Sequence, residues 1–304
     1  MQGNIDFGRI TVFGEVLFDV FPDESRIIGG APFNVACHLR GLGPDPLFIS
    51  RVGADDPGCE VLRHMVKWSM STKQLQVDEH RPTGMVLVRF KDGEPYYEIR
   101  EDAAFDQIMM PEQEADFLEK VRLFYHGTLA ARNKVSRDTL YALAGSKDQK
   151  VFCDINLRDP WWTREFIKDI LSWSTYLKVN LDELEQVAMI SGVQNTETVK
   201  KARAVQEKAG LECLVLTMGA EGGILFPDGK DQLFSSAPEI EDFKDTVGAG
   251  DAFSAVFLLG IVRGWSWEKI LQRAVYLAAE VCAIKGAMPE DMNFYKYFSR
   301  EWGM

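Results

Sequence analysis

Positive charge is scarce in this chain: 34 lysines and arginines face 46 aspartates and glutamates, a formal net charge of −12. Sequence-independent binding to DNA or RNA needs clustered Lys and Arg to neutralise phosphates, so nucleic acid is not an expected partner, although one local site can still hold a nucleotide. Cysteine is sparse as well. Cys37, Cys59, Cys153, Cys213 and Cys282 are odd in number, scattered, and show no Cys-x-x-Cys spacing, which fits a reducing, cytosolic compartment. The most apolar run, Ala252 to Val262, is far short of the roughly 20 residues a membrane span requires and reads as a buried core helix. Met1 to Arg9 carries acidic and polar residues without an apolar signal core, so a cytoplasmic location with no membrane partner is expected. Two nucleotide fingerprints are missing. There is neither a Gly-x-Gly-x-x-Gly turn nor a Gly-x-x-x-x-Gly-Lys-Ser/Thr loop, which removes the chief sign of a dinucleotide-dependent redox enzyme.

What is present is ample apolar material, 46% of 304 residues, enough for a sheet covered on both faces. Short runs rich in β-branched and aromatic residues alternate with segments of helical period, the pattern of βαβ units. Strands are expected at Ile10 to Gly14, Leu47 to Ser50, Leu123 to His126, Val151 to Ile155, Tyr176 to Val179 and Leu214 to Thr217. Helices are expected at Asn34 to Arg40, Pro57 to Trp68, Lys134 to Ala144, Leu181 to Ile190, Thr196 to Ala209, Ala249 to Val262 and Trp267 to Ile284. One stretch departs from the alternation. Thr83 to Phe90 and Tyr96 to Arg100 read as two strands joined at Lys91-Asp92-Gly93-Glu94, a hairpin turn signal. It is either a small β-lid over a site or an ordinary edge hairpin. The expectation is one α/β domain over 1–304, with a lid contributed mainly by about 83–100.

The densest chemical signal is Asp245-Thr246-Val247-Gly248-Ala249-Gly250-Asp251, running directly into an apolar helix. Glycines allow a tight turn and close backbone approach, so the N–H groups of Gly248, Ala249 and Gly250 can cradle an anion at a helix start. Asp251 then stands where a carboxylate could take a proton from an attacking hydroxyl. A helix start with Asp251 merely complementing the dipole would need the same residues by chance.

This Asp-Thr-x-Gly-Ala-Gly-Asp segment resembles the C-terminal signature of the ribokinase-like (PfkB) carbohydrate kinases. A second element, Gly29-Gly30-Ala31-Pro32-Phe33-Asn34-Val35-Ala36, is similar to their N-terminal Gly-Gly-x-x-x-Asn, in the family's order. The resemblance implies a ribokinase-like fold, a mostly parallel central sheet flanked by helices with a small β-lid. It implies that Gly29, Gly30 and Asn34 contact a sugar, which suits glycine's small size and the two-way hydrogen bonding of an amide. Gly29-Gly30 could otherwise be a turn and Asn34 a helix cap.

Other segments follow in family order. Gly14-Glu15-Val16-Leu17-Phe18-Asp19 resembles the opening segment whose Asp grips sugar hydroxyls, with an exposed loop aspartate as the plain alternative for Asp19. Asn180-Leu181-Asp182-Glu183 resembles the Asn-x-x-Glu motif that works with Mg²⁺ and the nucleotide phosphates, Glu183 acting through water; Asn180 could instead cap the next helix. Thr217-Met218-Gly219-Ala220-Glu221-Gly222-Gly223 resembles the nucleotide-binding Thr-x-Gly-x-x-Gly, or is a strand-to-strand turn. Ile284-Lys285-Gly286-Ala287 looks like the loop bounding the adenine site, and with it Asp245 and Val247 would hold a monovalent cation such as K⁺ in some members. Asp154-x-Asn156-x-Arg158 ends a strand, so Asn156 and Arg158 either touch ligand or form a salt-bridged loop. His126 is given no role.

The resemblance implies in-line transfer of the γ-phosphoryl of MgATP to a sugar hydroxyl, with Asp251 as base and Asp19, Gly30 and Asn34 orienting the acceptor. The Gly-Gly-Ala-Pro-Phe-Asn form looks more like fructokinases than ribokinases, favouring fructose. Ribose, 2-keto-3-deoxygluconate, a nucleoside and a sugar phosphate stay open, the last requiring Arg81, Arg89 or Arg100 near the lid. A catalytically weak sugar-binding regulator would share the fold, but the intact Asp251 and glycines speak against it. Exposed apolar lid residues such as Val86, Val88 and Ile99 could pair two chains into a homodimer.

Overall fold

The computed structural model describes residues 9–91, 94–111, 121–145, 149–194 and 196–304. Met1 to Gly8 and the hairpin-tip residues Asp92 and Gly93 lie outside them. Strands β1 (Arg9–Phe13), β4 (Leu47–Gly53), β5 (Leu75–Asp78), β8 (Val121–His126), β9 (Lys150–Asp154), β10 (Tyr176–Asn180) and β11 (Cys213–Thr217) pair in parallel, and β12 (Gly223–Pro227) and β13 (Leu233–Ser235) extend the sheet antiparallel. The order across the sheet is β13-β12-β11-β10-β9-β8-β1-β4-β5. The chain builds outward from β1 in both directions, so the β1/β8 boundary is the point where α/β folds place ligands, beyond the carboxyl ends of the strands.

Alternate residues of each strand bury on opposite faces. Val12, Tyr125 and Val215 pack with helices α1 (Ala31–Gly41), α7 (Ala249–Val262) and α8 (Trp267–Cys282) on one side. Phe13, Phe124 and Leu214 pack with α3 (Lys134–Ala144), α4 (Arg164–Trp173), α5 (Leu181–Ser191) and α6 (Thr198–Ala209) on the other. Helices α2 (Asp56–Lys67) and α9 (Phe294–Trp302) complete the shell. Helix α7 is apolar all round because it is enclosed all round: every residue from Ala252 to Gly260 is buried. No helix among the described residues is long and apolar enough to cross a membrane.

The hairpin of β6 (Gly84–Lys91) and β7 (Glu94–Ile99) supplies only half of the small sheet. The other half is β2 (Leu17–Val20) and β3 (Arg26–Gly29), giving the order β3-β2-β6-β7. These N-terminal strands are four residues each and interrupted by a Phe21–Ser25 turn, too short for alternation to declare them. Val86 and Val88, expected to be exposed, are buried; the small sheet's outward apolar surface is Tyr96, Tyr97 and Ile27 instead. The strand β5, helices α4 and α9, and the antiparallel pair β12–β13 were also not anticipated from the sequence.

Candidate active site

Local rules place Asp251. Gly248 stands before α7 with φ 80°, a left-handed conformation, and a Cβ there would lie 2.5 Å from Ala287 Cα. Only glycine fits, and its turn opens the first turn of α7, where Ala249 N donates to Thr246 O at 3.3 Å. Asp251 follows in that turn, and Asn34 Nδ2 on α1 donates a 2.8 Å hydrogen bond to its Oδ2. Asp251 keeps part of its surface exposed, yet protein surrounds it closely enough that desolvation pushes its carboxyl up to about 7. Asn34 and Lys178 pull the other way, while Asp154 and Glu15 add to the rise. A carboxyl so tuned is suited to accept a proton near neutral pH.

A cleft of about 560 Å³ opens from this turn. Asn180, Thr217, Gly219, Gly222, Ala249 and Gly250 line its near end, so the sequence-selected nucleotide residues converge on one cavity. Asn180 and Thr217 are register partners at the ends of β10 and β11. The Thr217–Gly223 segment is indeed a connection between antiparallel strands, and it lines the cleft as well. The far end is apolar, formed by Ala237 to Phe243 on one side and Val275 to Cys282 of α8 on the other.

Asn180 and Glu183 form a reciprocal capping box at the start of α5: Glu183 N donates to Asn180 Oδ1 and Asn180 N to Glu183 Oε2, both at 2.9 Å. Glu183 Oε1 accepts from Leu157 N at 3.1 Å, and burial raises its carboxyl above the usual range. Among the described residues no group of three or more His, Cys, Asp and Glu side chains stands ready to enclose a metal. An ion here would take most of its ligands from phosphate and water, which suits Mg²⁺. Asp245 is tied on both oxygens, accepting from Val247 N at 2.8 Å and Gly286 N at 3.1 Å, which fastens the Lys285–Ala287 loop to the glycine turn.

The surroundings of Gly29 and Gly30 are polar and acidic. Asp19 lies on β2 beneath Gly29, where a Cβ would stand 3.5 Å from Asp19 Oδ2. Burial raises its carboxyl and Arg158 draws it back. Gly30, at φ 105°, packs so closely that a Cβ would lie 2.8 Å from the Glu15 carbonyl. Arg100 is exposed just past β7, with its carbonyl held by Arg132 Nη2 at 2.6 Å. Arg81, half-buried, and Arg89, exposed, are paired with Asp102 and Glu98.

Three groups were passed over. Glu15 is buried with Oε2 unpartnered and its carboxyl pushed up to about 7 by desolvation. Lys178 and Asp154 form a buried ion pair at 2.6 Å under the glycine turn. The readable sign was a lysine inside an otherwise apolar strand, Tyr176-Leu177-Lys178-Val179, which demands a buried partner.

With that geometry, comparison is decisive: the profile of the pfkB family carbohydrate kinases matches residues 8–292. The chain belongs to that family. This kinase is 28% identical to the uncharacterized sugar kinase PH1459 of Pyrococcus horikoshii over 97% of both chains, and the crystal structure of that protein superposes with a TM-score of 0.77 over 91% of this chain and 93% of that one. It is 30% identical to a fructokinase of Klebsiella pneumoniae, over 92% of this chain and 95% of the relative. An aminoimidazole riboside kinase of Salmonella typhimurium is 25% identical over 94% of each chain. The fold is ribokinase-like, and the enzyme class is phosphotransfer to an alcohol group.

Proposed function

We propose that this carbohydrate kinase transfers the γ-phosphoryl group of MgATP to a hydroxyl of a neutral monosaccharide, with fructose the foremost acceptor. The observation that carries the reading is Asp251: a carboxyl poised near neutrality, oriented by Asn34 and next in sequence to Ala249 and Gly250, which line the cleft. An acceptor hydroxyl gives its proton to Asp251 as its oxygen bonds to the γ-phosphorus; the bond to the bridging oxygen breaks, and its electron pair leaves with ADP. The N–H group of Gly250, with that of Ala249 once it leaves its 3.3 Å bond to Thr246 O, would face the charge that develops.

The ATP assignment rests on the cleft and on the ATP complex known for the Pyrococcus protein. Mg²⁺ would be held by phosphate and water beside Glu183 and would neutralise phosphate charge. Asp245 and Val247 are the positions for a monovalent cation such as K⁺, a role suggested by the fastened turn and loop. A neutral acceptor is favoured because Glu15, Asp19 and Asp251 surround the site with carboxyl groups, while Arg81 and Arg89 are engaged by acids elsewhere. Asp19, Gly29, Gly30 and Asn34 would orient the sugar, and Arg158 is better placed than Arg100 to assist, since its charge reaches both Asp19 and Glu15. A cytoplasmic location fits these substrates. A homodimer through the lid would use Tyr96, Tyr97 and Ile27, and a monomer in light scattering would end that idea.

Magnesium-dependent ADP release with fructose, ribose, 2-keto-3-deoxygluconate, fructose 6-phosphate and adenosine tests the whole reading. Release driven by fructose and lost in Asp251→Asn is expected. Preference for an anionic acceptor would overturn the neutral-sugar assignment.

A further inference from the structure

We propose that Lys178, Asp154 and Ser254 form a buried positioning relay beneath the glycine turn, which seats the Gly248–Asp251 backbone and sets the electrostatic field at the Asp251 carboxylate. The inference rests on the reading of Asp251 as the base.

Lys178 sits in β10 between Leu177 and Val179, both fully buried, and is itself 7% exposed. Its Nζ lies 2.6 Å from Asp154 Oδ2 at the end of β9. That oxygen also receives Ser254 Oγ at 2.9 Å and Tyr125 OH at 3.4 Å. Ser254 Oγ is also 3.0 Å from Gly250 O, so its single proton is shared between two acceptors and the hydroxyl sits between the ion pair and the first turn of α7. The contact is direct from below as well: a Cβ on Gly250 would stand 3.1 Å from Lys178 Nζ. Two strands and the catalytic helix therefore meet at one buried pair of charges.

Stability alone does not account for this arrangement. An apolar pair of similar volume generally holds such elements together at least as well as a buried ion pair. What an apolar pair could not supply is a field at the neighbouring carboxylate. The groups that face Asp251 come from every element around it: Asn34 of α1 and Lys178 of β10 favour its ionised form, and Asp154 of β9 and Glu15 beyond β1 oppose it. Tyr125 of β8, whose hydroxyl burial holds neutral, also lies within electrostatic reach. Lys178 is thus the cation that offsets two acids, and Asp154 is the acid that keeps Lys178 in place.

The test is the pH profile of kcat/KM, from about pH 5 to about 9, for Lys178→Met, Asp154→Asn and the double variant, with folding checked by circular dichroism. Removing the cation should move the acidic limb to higher pH by about 1 pH unit, and removing the anion should move it to lower pH. The double variant, which leaves no unpaired buried charge, should keep a limb close to wild type while kcat falls about 10-fold or more, because the turn has lost its seat. Limbs that shift in the same direction, or not at all, in folded single variants would overturn the proposal. If a single variant does not fold, the double variant decides: lowered kcat with an unmoved limb supports the relay, and wild-type turnover refutes it. Asp251→Asn run in parallel separates the two claims. Retained activity there would remove the base and this inference with it, whereas an inactive Asp251→Asn beside coincident limbs would remove only the relay.

Discussion

The two halves of the cleft are built from different materials. Around Asp251 the structure buries charge: Asp154, Lys178 and Glu15 lie within electrostatic reach of it, and desolvation is the first cause that raises the carboxyls of Glu15, Asp19 and Asp251. Around the far end of the nucleotide cleft, it offers apolar surface, with Phe253, Val275, Ala278 and Ala279 facing the loop from Ala237 to Phe243. Buried charge is expensive and geometrically exacting, which suits the place where the proposed reaction moves a proton. Apolar surface is forgiving and recognises mainly shape, which suffices for a donor that need only be held.

That contrast can be broken most sharply at Asp251. Replacing it with Asn should lower kcat by about 10² to 10⁴-fold in the ADP-release assay while nucleotide binding persists. Gly248→Ala comes next. The left-handed φ and the 2.5 Å approach to Ala287 leave no room for a methyl group, so a loss of about 2–3 kcal/mol in stability is expected by denaturant unfolding, with kcat reduced about 10²-fold by the displaced turn. The donor half should answer differently: Ala278→Leu narrows the apolar end and should raise KM for ATP about 10-fold with KM for the acceptor unchanged.

The acceptor half also carries a stability signature. Burial raises the Asp251 carboxyl from 3.8 to about 7, so the folded state holds this proton more tightly than the unfolded chain does. Its contribution therefore favours folding most below about pH 4, falls as pH rises towards 7, and is flat above that. Asp251→Asn should remove this dependence and melt higher than wild type at pH 8, by the equivalent of about 1–2 kcal/mol. Smallest of all is Phe243→Ala. The side chain is exposed at the rim of the apolar end, and KM for ATP should change less than about 3-fold. A larger effect there than at Ala278 would mean the base is held at the rim, not in the groove.

Much of the site was legible because it is local. Asp245 to Asp251, Asn180 with Glu183, and Thr217 to Gly223 are each a strand end, turn and helix start whose residue types follow from backbone needs, and they were read as units. The plain alternatives proved compatible with the site, since Asn180 caps its helix and Thr217–Gly223 joins two strands while both line the cleft. The small sheet was half legible: β6 and β7 announce themselves by length and turn chemistry, whereas β2 and β3 are too short to show a period.

The sequence by itself determined the alternation of strands and helices, the absence of a membrane-crossing helix among the described residues, and the glycine turn with its aspartate, because all of these depend on neighbours a few positions away. Only the tertiary structure decided that Asn34 would hold Asp251 across 217 residues, that Ser254 would reach Asp154 across 100, and that Lys178 would lie under Gly250. Those contacts are set by strand order and helix packing, and the titration of a carboxyl follows from what surrounds it in space, which no local pattern encodes.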